Sequence, residues 1–375
     1  MEKFIKFLKR PITSTILAIL CGFIVSGVIL ALVGYNPVSA FVSLLNGTFS
    51  RPKYIFKVIE RSTPIILTGI SVAFSFKAGL FNIGAEGQYI LGSIAATIVG
   101  ISFNLHPLFQ VPLVIFSGVL AGAIWGVITG FLKAKFGIHE VILGIMLNWI
   151  AFHLCNFIVN HNLYHKPNSS RTYSINSSGF TMILNTWKRS KDGIEALRKN
   201  KLLSDILLKT DLNVGFIVAV LVAVVVWFIL KKTTLGFAVR AVGLNPSAAK
   251  IAGIGIKRNI TSTLAISGAI SGLAAALVIT GTSPHALYQL AMFENIGFNG
   301  LSVALIANSS PIGCIFSGLF FSGLIYGGNS IQTDLNIPSE IISITIGSVL
   351  FFVALTKCLP MLIGKFSKRG ETHVE

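Results

Sequence analysis

The sequence predicts an all-α fold, a polytopic membrane helix bundle with about ten membrane passages, some of them broken or short. Two features of the composition predict it: hydrophobic residues make up 53% of the 375 residues, and charged residues make up only 11%. A soluble domain carries roughly a quarter charged residues, because its surface must face water. The third feature is a mean hydropathy of +0.79. We therefore expect a single transmembrane domain over residues 1–375, embedded in a lipid bilayer.

Apolar segments along the chain supply the spans, since a spanning helix needs roughly 20 apolar residues. The stronger segments are Ile12–Val33, Val111–Leu132, Val141–Val159, Leu212–Leu230, Ile260–Gly281 and, with help from its flanks, Ile341–Thr356. Shorter or glycine-interrupted segments are Pro64–Phe76, Tyr89–Phe103, Gly297–Ala307 and Ile312–Ile325. The predicted divisions are a first span 11–34, an outer amphipathic segment 35–61, spans two to five 62–159, an outer loop 160–211, span six 212–231, a cytoplasmic loop 232–259, spans seven to ten 260–358 and a cytoplasmic tail 359–375.

The charge balance helps to orient these spans. The chain has 30 Lys and Arg against 13 Asp and Glu, and in a membrane protein such an excess indicates cytoplasmic loops rather than nucleic-acid binding. With both termini cytoplasmic, 17 basic residues lie inside, and nine others fall in the outer loop 160–211, where the positive-inside bias is weak. Arg51, Lys53, Lys57 and Arg61 oppose this orientation. We accommodate them by laying segment 35–61 along the outer surface.

Sequence patterns typical of enzymes are missing. The phosphate-binding pattern G-x-x-x-x-G-K-[ST] does not occur, nor do the serine-hydrolase and zinc-protease patterns. We therefore expect this chain to be no enzyme and to have no catalytic residue, no metal site and no cofactor of its own.

One informative motif lies at residues 79–88, GLFNIGAEGQ. It interrupts two apolar stretches with three glycines and with Asn82, Glu86 and Gln88. Irregular backbone at membrane depth is tolerated only where protein buries it or a cavity wets it, and an ionisable residue there is a functional candidate. Two interpretations remain open. The polar residues line a solute pathway, or Glu86 stabilises a neighbouring helix terminus or turn without touching the solute.

A second motif lies at residues 234–254, between the sixth and seventh spans. Asn245 is a favourable N-cap, Pro246 suits the first helical position and Gly253 fits the C-cap. The motif predicts a helix of about two turns lying across the cytoplasmic face. Ala248 and Ala249 are small enough to leave room for a partner surface. An ordinary loop helix is the alternative interpretation.

Glycines spaced by four occupy one face of the fourth span, at Gly118, Gly122, Gly126 and Gly130. Gly268 and Gly272 repeat the pattern in the seventh span. Small residues at this spacing let membrane helices approach closely. Either tight static packing or a moving interface would use them, and static packing is the simpler interpretation.

These motifs resemble those of a known family. The segments 79–88 and 240–254 (RAVGLNPSAAKIAGI) look like the membrane subunits of bacterial ABC importers, in the group of branched-chain amino acid and simple-sugar permeases. Residues 139–150 and 297–305 resemble two further blocks of that family, so the resemblance covers roughly 60–355 in the same order. The NIGAEGQ signature is closest to the nucleoside-type importers. His139 stands where Asn is usual, and Asn299 where an acid is usual.

The resemblance implies a division of labour among several chains. This chain would form the pathway in the bacterial cytoplasmic membrane together with a second permease subunit, a related but different chain. ABC ATPase subunits would bind ATP and magnesium, and an extracytoplasmic solute-binding lipoprotein would deliver the solute. The residues expected to line the pathway are Asn82, Glu86, Gln88, Asn148 and Asn299. The residues expected to couple to the ATPase are Gly243, Asn245, Pro246, Ala248, Ala249 and Gly253.

Nucleosides are the expected solute, because they are neutral amphiphiles that stack on apolar walls and bind amide side chains. A simple-sugar ABC permease is the alternative within the family. From another class, an ion-coupled secondary transporter tends to place several ionisable groups in mid-membrane. This chain has one clear candidate there, Glu86, with Lys77 nearby in the sequence.

Overall fold

The computed structural model describes residues 11–185 and 187–355. The basic N-terminal segment 1–10 and the predicted tail 359–375 lie outside the described residues. Within the described ranges the chain is helical, with no β-strand and three isolated bridges. The α-helices are α1 (Pro11–Leu32), α2 (Pro37–Phe49), α3 (Pro52–Lys77), α4 (Ala85–Ser102), α5 (Pro107–Phe136), α6 (Glu140–Asn160), α7 (Lys191–Arg198), α8 (Lys201–Leu207), α9 (Gly215–Lys232), α10 (Thr234–Leu244), α11 (Pro246–Ile251), α12 (Ile256–Gly281), α13 (Ile296–Ile306), α14 (Gly313–Leu335) and α15 (Ser339–Ala354).

This helical architecture confirms the predicted fold class, and each predicted apolar stretch falls on a helix. Among the described residues, six helices are long and apolar enough to cross a membrane: α1 (from Thr13), α5, α6, α9, α12 and α14. Four apolar helices are shorter, namely α2, α10, α13 and α15. The sequence predicts one permease domain, whereas the contacts group the chain into two compact units, with boundaries after Tyr54 and Ser322.

The first unit comprises residues 11–54 and 323–355 of the described chain. Helices α1 and α15 pack together, and Ser26 Oγ of α1 donates to the carbonyl oxygen of Thr345 (3.1 Å). Helix α2 lies against the end of α14, where Thr48 Oγ1 donates to Gly323 O (3.2 Å) and Ser43 Oγ to Asp334 Oδ2 (2.9 Å). Hydroxyl-to-carbonyl bonds of this kind join apolar helices that have few other polar groups.

The structure divides the predicted amphipathic segment 35–61. Helix α2 has no charged residue, and its outward side chains, such as Val38 and Phe49, are apolar and exposed. Three of the four basic residues lie instead on the first ten residues of α3, and Arg51 immediately precedes that helix. The predicted single segment is therefore divided between two helices, and Pro52, which favours the first position of a new helix, begins the second.

The second unit, residues 55–322, is built around α12. Of the apolar stretch of α12, 72% is buried, against at most 50% in the other five candidate spans. We call the end of this unit that carries residues 77–79, 137–140 and 233–255 the lower end. The end that carries residues 103–106, 161–214 and 282–285 is the upper end. Helices α4, α6 and α12 run from the lower to the upper end, and α5 runs from the upper to the lower end.

Helices α5 and α12 pack backbone to backbone along the predicted glycine faces. A Cβ atom placed on Gly122 would overlap the carbonyl oxygen of Gly268, and one placed on Gly268 would overlap that of Gly122. One turn away, a Cβ atom placed on Gly272 would overlap the carbonyl oxygen of Gly118. The glycine spacing therefore identifies a real and very close helix contact.

The upper end is tied together by charged and amide groups. Lys57 Nζ donates to both carboxylate oxygens of Glu60 (3.0 and 2.9 Å) and lies 3.9 Å from Asp211 Oδ2. Glu60 Oε2 also accepts from the backbone N–H of Asp211 (3.1 Å). One of the basic residues that opposed the predicted orientation is thus neutralised within the second unit. The predicted outer loop 160–211 contains two short helices, α7 and α8.

The glycine contact predicts an unequal response to the same substitution at two helical glycines. Gly268→Ala should lower the melting temperature of the purified protein in detergent, because an added methyl group in a packed contact costs about 1–3 kcal/mol. Gly347→Ala is the matched control: no atom lies within 4 Å of the added Cβ, and Ala favours a helix over Gly by about 1 kcal/mol. Equal melting temperatures for the two variants would contradict the proposed contact.

Candidate functional site

Residues 78–84 form a non-helical break between α3 and α4 near the lower end. Gly79 has φ +72°, a left-handed conformation that favours glycine. Asn148 of α6 binds the polar backbone of this motif, since its Oδ1 accepts from Gly87 N (2.8 Å) and its Nδ2 donates to Ile83 O (3.0 Å). Asn148 is buried, and in this structure it satisfies backbone groups that lipid could not satisfy.

Glu86 is fully buried at the start of α4 and holds the start of another helix. Its Oε1 accepts from the backbone N–H of Asn295 (3.0 Å), and its Oε2 accepts from that of Gly297 (2.6 Å). These donors belong to the N-terminus of α13, where backbone N–H groups lack helical partners and carry partial positive charge. Of the two interpretations left open by the sequence, this geometry matches the stabilisation of a neighbouring helix terminus.

Gly297 permits this arrangement. A Cβ atom on it would overlap the backbone nitrogen of Glu86, so the start of α13 reaches the start of α4 only with glycine at this position. The motif 79–88 and the block 297–305, which are far apart in the sequence, therefore meet in the second unit.

Asn82 and Gln88 belong to a buried polar cluster. Asn82 Nδ2 donates to Gln88 Oε1 (3.1 Å) and to Ser267 Oγ of α12 (2.7 Å). Ser267 Oγ lies 2.7 Å from Ser71 Oγ of α3. Asn82 Oδ1 and Gln88 Nε2 have no hydrogen-bond partner within the described part of the chain. Since an unpaired buried amide atom is costly, these two atoms are the ones in the break that remain able to bind a water or a solute.

Asn299, the last of the predicted pathway residues, lies on α13, one turn after the segment that Glu86 holds. Its side chain is partly exposed and makes no hydrogen bond within residues 11–185 and 187–355. The structure thus brings four of the predicted residues together at the break 78–84 and the adjoining start of α4: Asn82, Glu86, Gln88 and Asn148. Two of these, Glu86 and Asn148, bind backbone.

Sequence reasoning missed a second acid, Glu294, which precedes α13. Its side chain is exposed, and it lines a cavity of about 140 Å³ together with residues of α4, α6, α12 and the segment 282–290. The sequence signal was present, because Glu294 is a charge within the apolar stretch between the predicted spans that end at Gly281 and begin at Gly297.

The lower end carries the predicted coupling segment as two helices, α10 and α11. Asn245 Oδ1 accepts from Ser247 N (3.0 Å) and Ala248 N (3.1 Å), and Pro246 is the first residue of α11, so both predicted start signals are confirmed. The six residues of α11 agree with the predicted two turns, and the C-cap is Ala252, one residue before the predicted Gly253. Gly253 follows the cap with φ +79°, as in the left-handed ending of many helices.

The predicted coupling residues face in two directions. Gly243 packs inward, since a Cβ atom on it would overlap the carbonyl oxygen of Lys77, and Ala249 is buried. Ala248 is exposed, as predicted for a residue that leaves room for a partner. Two large apolar residues that the sequence did not single out are highly exposed there: Leu244 (88%), the last residue of α10, and Ile251 (90%), the last residue of α11.

Comparison with known proteins identifies the family. Residues 54–355 match the family described as the permease component of the branched-chain amino acid transport system. The chain belongs to this permease family. It is 36% identical over 355 residues to a guanosine ABC transporter permease protein of Bacillus subtilis, covering 95% of this chain and 96% of that protein. It is 33% identical over 357 residues to a nucleoside ABC transporter permease protein of Lactococcus lactis, covering 95% and 94%.

A relative with another solute lies slightly further away. A glucose ABC transporter permease protein of Haloferax volcanii is 30% identical over 342 residues, covering 90% of this chain and 86% of the relative. No solved structure matches the chain. With its apolar helices and this family membership, the chain is a multi-pass membrane protein and an ABC transporter permease.

Proposed function

We propose that this permease translocates nucleosides across the bacterial cytoplasmic membrane as one membrane subunit of an ATP-driven importer. The observation that carries the proposal is the similarity over almost the whole chain to permeases for guanosine and for nucleosides. The glucose relative supports a simple-sugar importer as the second candidate. Guanosine and glucose both contain a ring with several hydroxyl groups, so a polyhydroxylated ring is the chemistry common to both candidates.

The partners follow from what an ABC permease requires. ATP and magnesium would be bound by separate ATPase subunits, since this sequence has no phosphate-binding loop of its own. A second permease subunit would complete the pathway, and an extracytoplasmic lipoprotein would deliver the solute. With the lower end in the cytoplasm, α11 faces the ATPases. The positive-inside bias of the sequence, considered separately, favours cytoplasmic chain termini.

The lower end offers a physical route from ATPase to pathway. Leu244 and Ile251 would insert into the partner, because large exposed apolar side chains in water mark interaction sites. Gly243, adjacent to Leu244, contacts the backbone at Lys77–Gly79, where the break 78–84 begins. A displacement of α11 would therefore reach the break through α10 and these backbone contacts, which have no slack for side-chain rearrangement. In this proposal Asn245, Pro246 and Gly253 define the ends of the moving helix, Ala248 faces the partner, and Ala249 anchors the helix to the permease.

The solute is tested by uptake into membrane vesicles that contain the assembled transporter. Labelled guanosine should accumulate only with ATP inside, and excess unlabelled ribose or glucose should not compete. Accumulation of labelled ribose or glucose in the same vesicles, with no guanosine entry, would favour the simple-sugar permease. Uptake that survives ATP depletion and is abolished by an ionophore would instead identify an ion-coupled secondary transporter.

Coupling is tested by the double variant Leu244→Ser/Ile251→Ser. It should reduce solute-stimulated ATP hydrolysis by at least about tenfold, because losing two buried apolar side chains at an interface removes well over the 1.4 kcal/mol that a factor of ten requires. The matched control is Leu184→Ser, which replaces an exposed leucine (51%) at the upper end and should leave hydrolysis unchanged. Normal hydrolysis by the double variant, at normal membrane expression, would refute the assignment of α11.

A further inference from the structure

The cavity beside Glu294 lies inside the second unit, apart from the break that carries Asn82 and Gln88. Its walls come from α4, α6, the end of α12 and the segment 282–294. Tyr89 and Ser93, one turn apart on α4, supply hydroxyl groups, and Cys155 of α6 supplies a thiol. Tyr288, 45% exposed, supplies an aromatic ring. This combination of apolar walls and a few polar groups is typical of a small-molecule site.

The segment 282–294 forms one wall of the cavity, and hydrogen bonds hold its residues 285–290 in place. Asn156 of α6 binds Leu290 through both backbone groups, accepting from its N–H (2.7 Å) and donating to its carbonyl oxygen (3.0 Å). Thr172 N donates to Leu287 O (3.0 Å), and Ile175 N to His285 O (2.9 Å). A wall fixed in this way offers a preformed surface, which lowers the cost of binding a ligand.

The inner end of the same segment is held by Glu86 through Asn295 and Gly297. Between Leu290, which Asn156 holds, and Asn295, which Glu86 holds, residues 291, 292 and 294 are exposed. The carboxylate of Glu294 therefore has a fixed backbone on both sides and remains accessible.

Glu294 makes no hydrogen bond or ion pair within the described part of the chain. It is also the only charged residue among the described residues that line the cavity. With no cation to pair with, it would repel an anionic ligand, and its two oxygens would accept hydrogen bonds from a neutral one. Two adjacent hydroxyl groups on a ring match such a pair of acceptors, since hydrogen bonds to a charged acceptor are the stronger kind.

Size restricts the ligand further. A cavity of about 150 Å³ accommodates a single benzene-sized ring, so the cavity of about 140 Å³ holds one ring rather than a whole nucleoside. A second ring would extend past the exposed Tyr288, which offers a face for stacking.

We propose that this cavity binds the sugar ring of the transported solute, with the Glu294 carboxylate accepting hydrogen bonds from two adjacent ring hydroxyls. The inference rests on the proposed function, in which the solute is a ribonucleoside, and it assigns the 2′ and 3′ hydroxyls to Glu294. It makes this permease selective for ribose over 2′-deoxyribose, because the deoxy sugar leaves one carboxylate oxygen unpaired.

The test is the ratio of guanosine uptake to 2′-deoxyguanosine uptake in vesicles containing the assembled transporter, for the wild type and for Glu294→Gln. The glutamine has the same shape but one acceptor oxygen and no charge. The ratio should fall about tenfold in the variant, since a hydrogen bond to a charged group is worth enough for a factor of that size. The lipoprotein is the same in both transporters, so its own preference cancels in the comparison.

Two further variants make the result decisive. Glu294→Asp keeps the carboxylate and should retain a preference for guanosine between those of the wild type and Glu294→Gln. Glu340→Gln removes an exposed carboxylate at the start of α15 and should leave the ratio at the wild-type value.

The outcomes separate the two proposals. If the wild type takes up guanosine and Glu294→Gln has an unchanged ratio, or loses both uptakes equally, the inference about Glu294 is overturned and nucleoside import stands. If the wild type takes up no guanosine, the proposed function itself fails, and the sugar assignment fails with it.

Discussion

The second unit depends on one buried contact, the pair of hydrogen bonds from the start of α13 to the carboxylate of Glu86. A carboxylate without water needs hydrogen-bond donors, and the first turn of a helix has N–H groups without intrahelical partners. The carboxylate accepts hydrogen bonds from these N–H groups, so one contact satisfies both the acceptor and the donors. Without this contact, α13 would begin with unpaired donors in the interior, and the segment 282–295 would have no anchor at its inner end.

The same requirement explains most other polar residues of the break between α3 and α4. Asn148 pairs with backbone groups on both sides of Gly84, and Asn82 joins Gln88 to a serine of α12. Polar side chains inside an apolar bundle are therefore weak evidence for solute contact until their backbone partners have been identified. Glu294 differs from them because it has no such partner among the residues that the structure describes. We therefore place the solute contact at Glu294 and treat Glu86 as the residue that positions it.

The coupling segment fits the same scheme. Gly243 joins α10 to the last turn of α3, so the short helix α11 lies two contacts away from the break. Close glycine contacts also join α5 to α12, which makes these helices one rigid pair. A movement imposed at the lower end would thus pass to the break, while the α5–α12 pair keeps its form.

What the sequence could predict depended on how far apart the interacting residues are. Asn245 caps donors two and three positions away, so the start of α11 was readable from a few residues. Apolar run lengths placed the helices for the same local reason. The donors to Glu86 are 209 and 211 positions away, and no local pattern indicates such a pairing. The cavity at Glu294 could not be predicted either, because three separate parts of the chain form its walls. Segment 35–61 forms parts of two helices rather than one segment, and its basic residues lie at or after the break before Pro52.

The most direct test of the support that Glu86 gives to α13 is the melting temperature of the solute-free Glu86→Gln variant in detergent. Glutamine preserves the shape but offers one acceptor for two N–H groups, and a buried donor left unpaired costs about 1–3 kcal/mol. If Glu86 supports α13, the variant should melt several degrees below the wild type before any solute is added. An unchanged melting temperature, with uptake lost, would mean that Glu86 contacts the solute and would contradict the account.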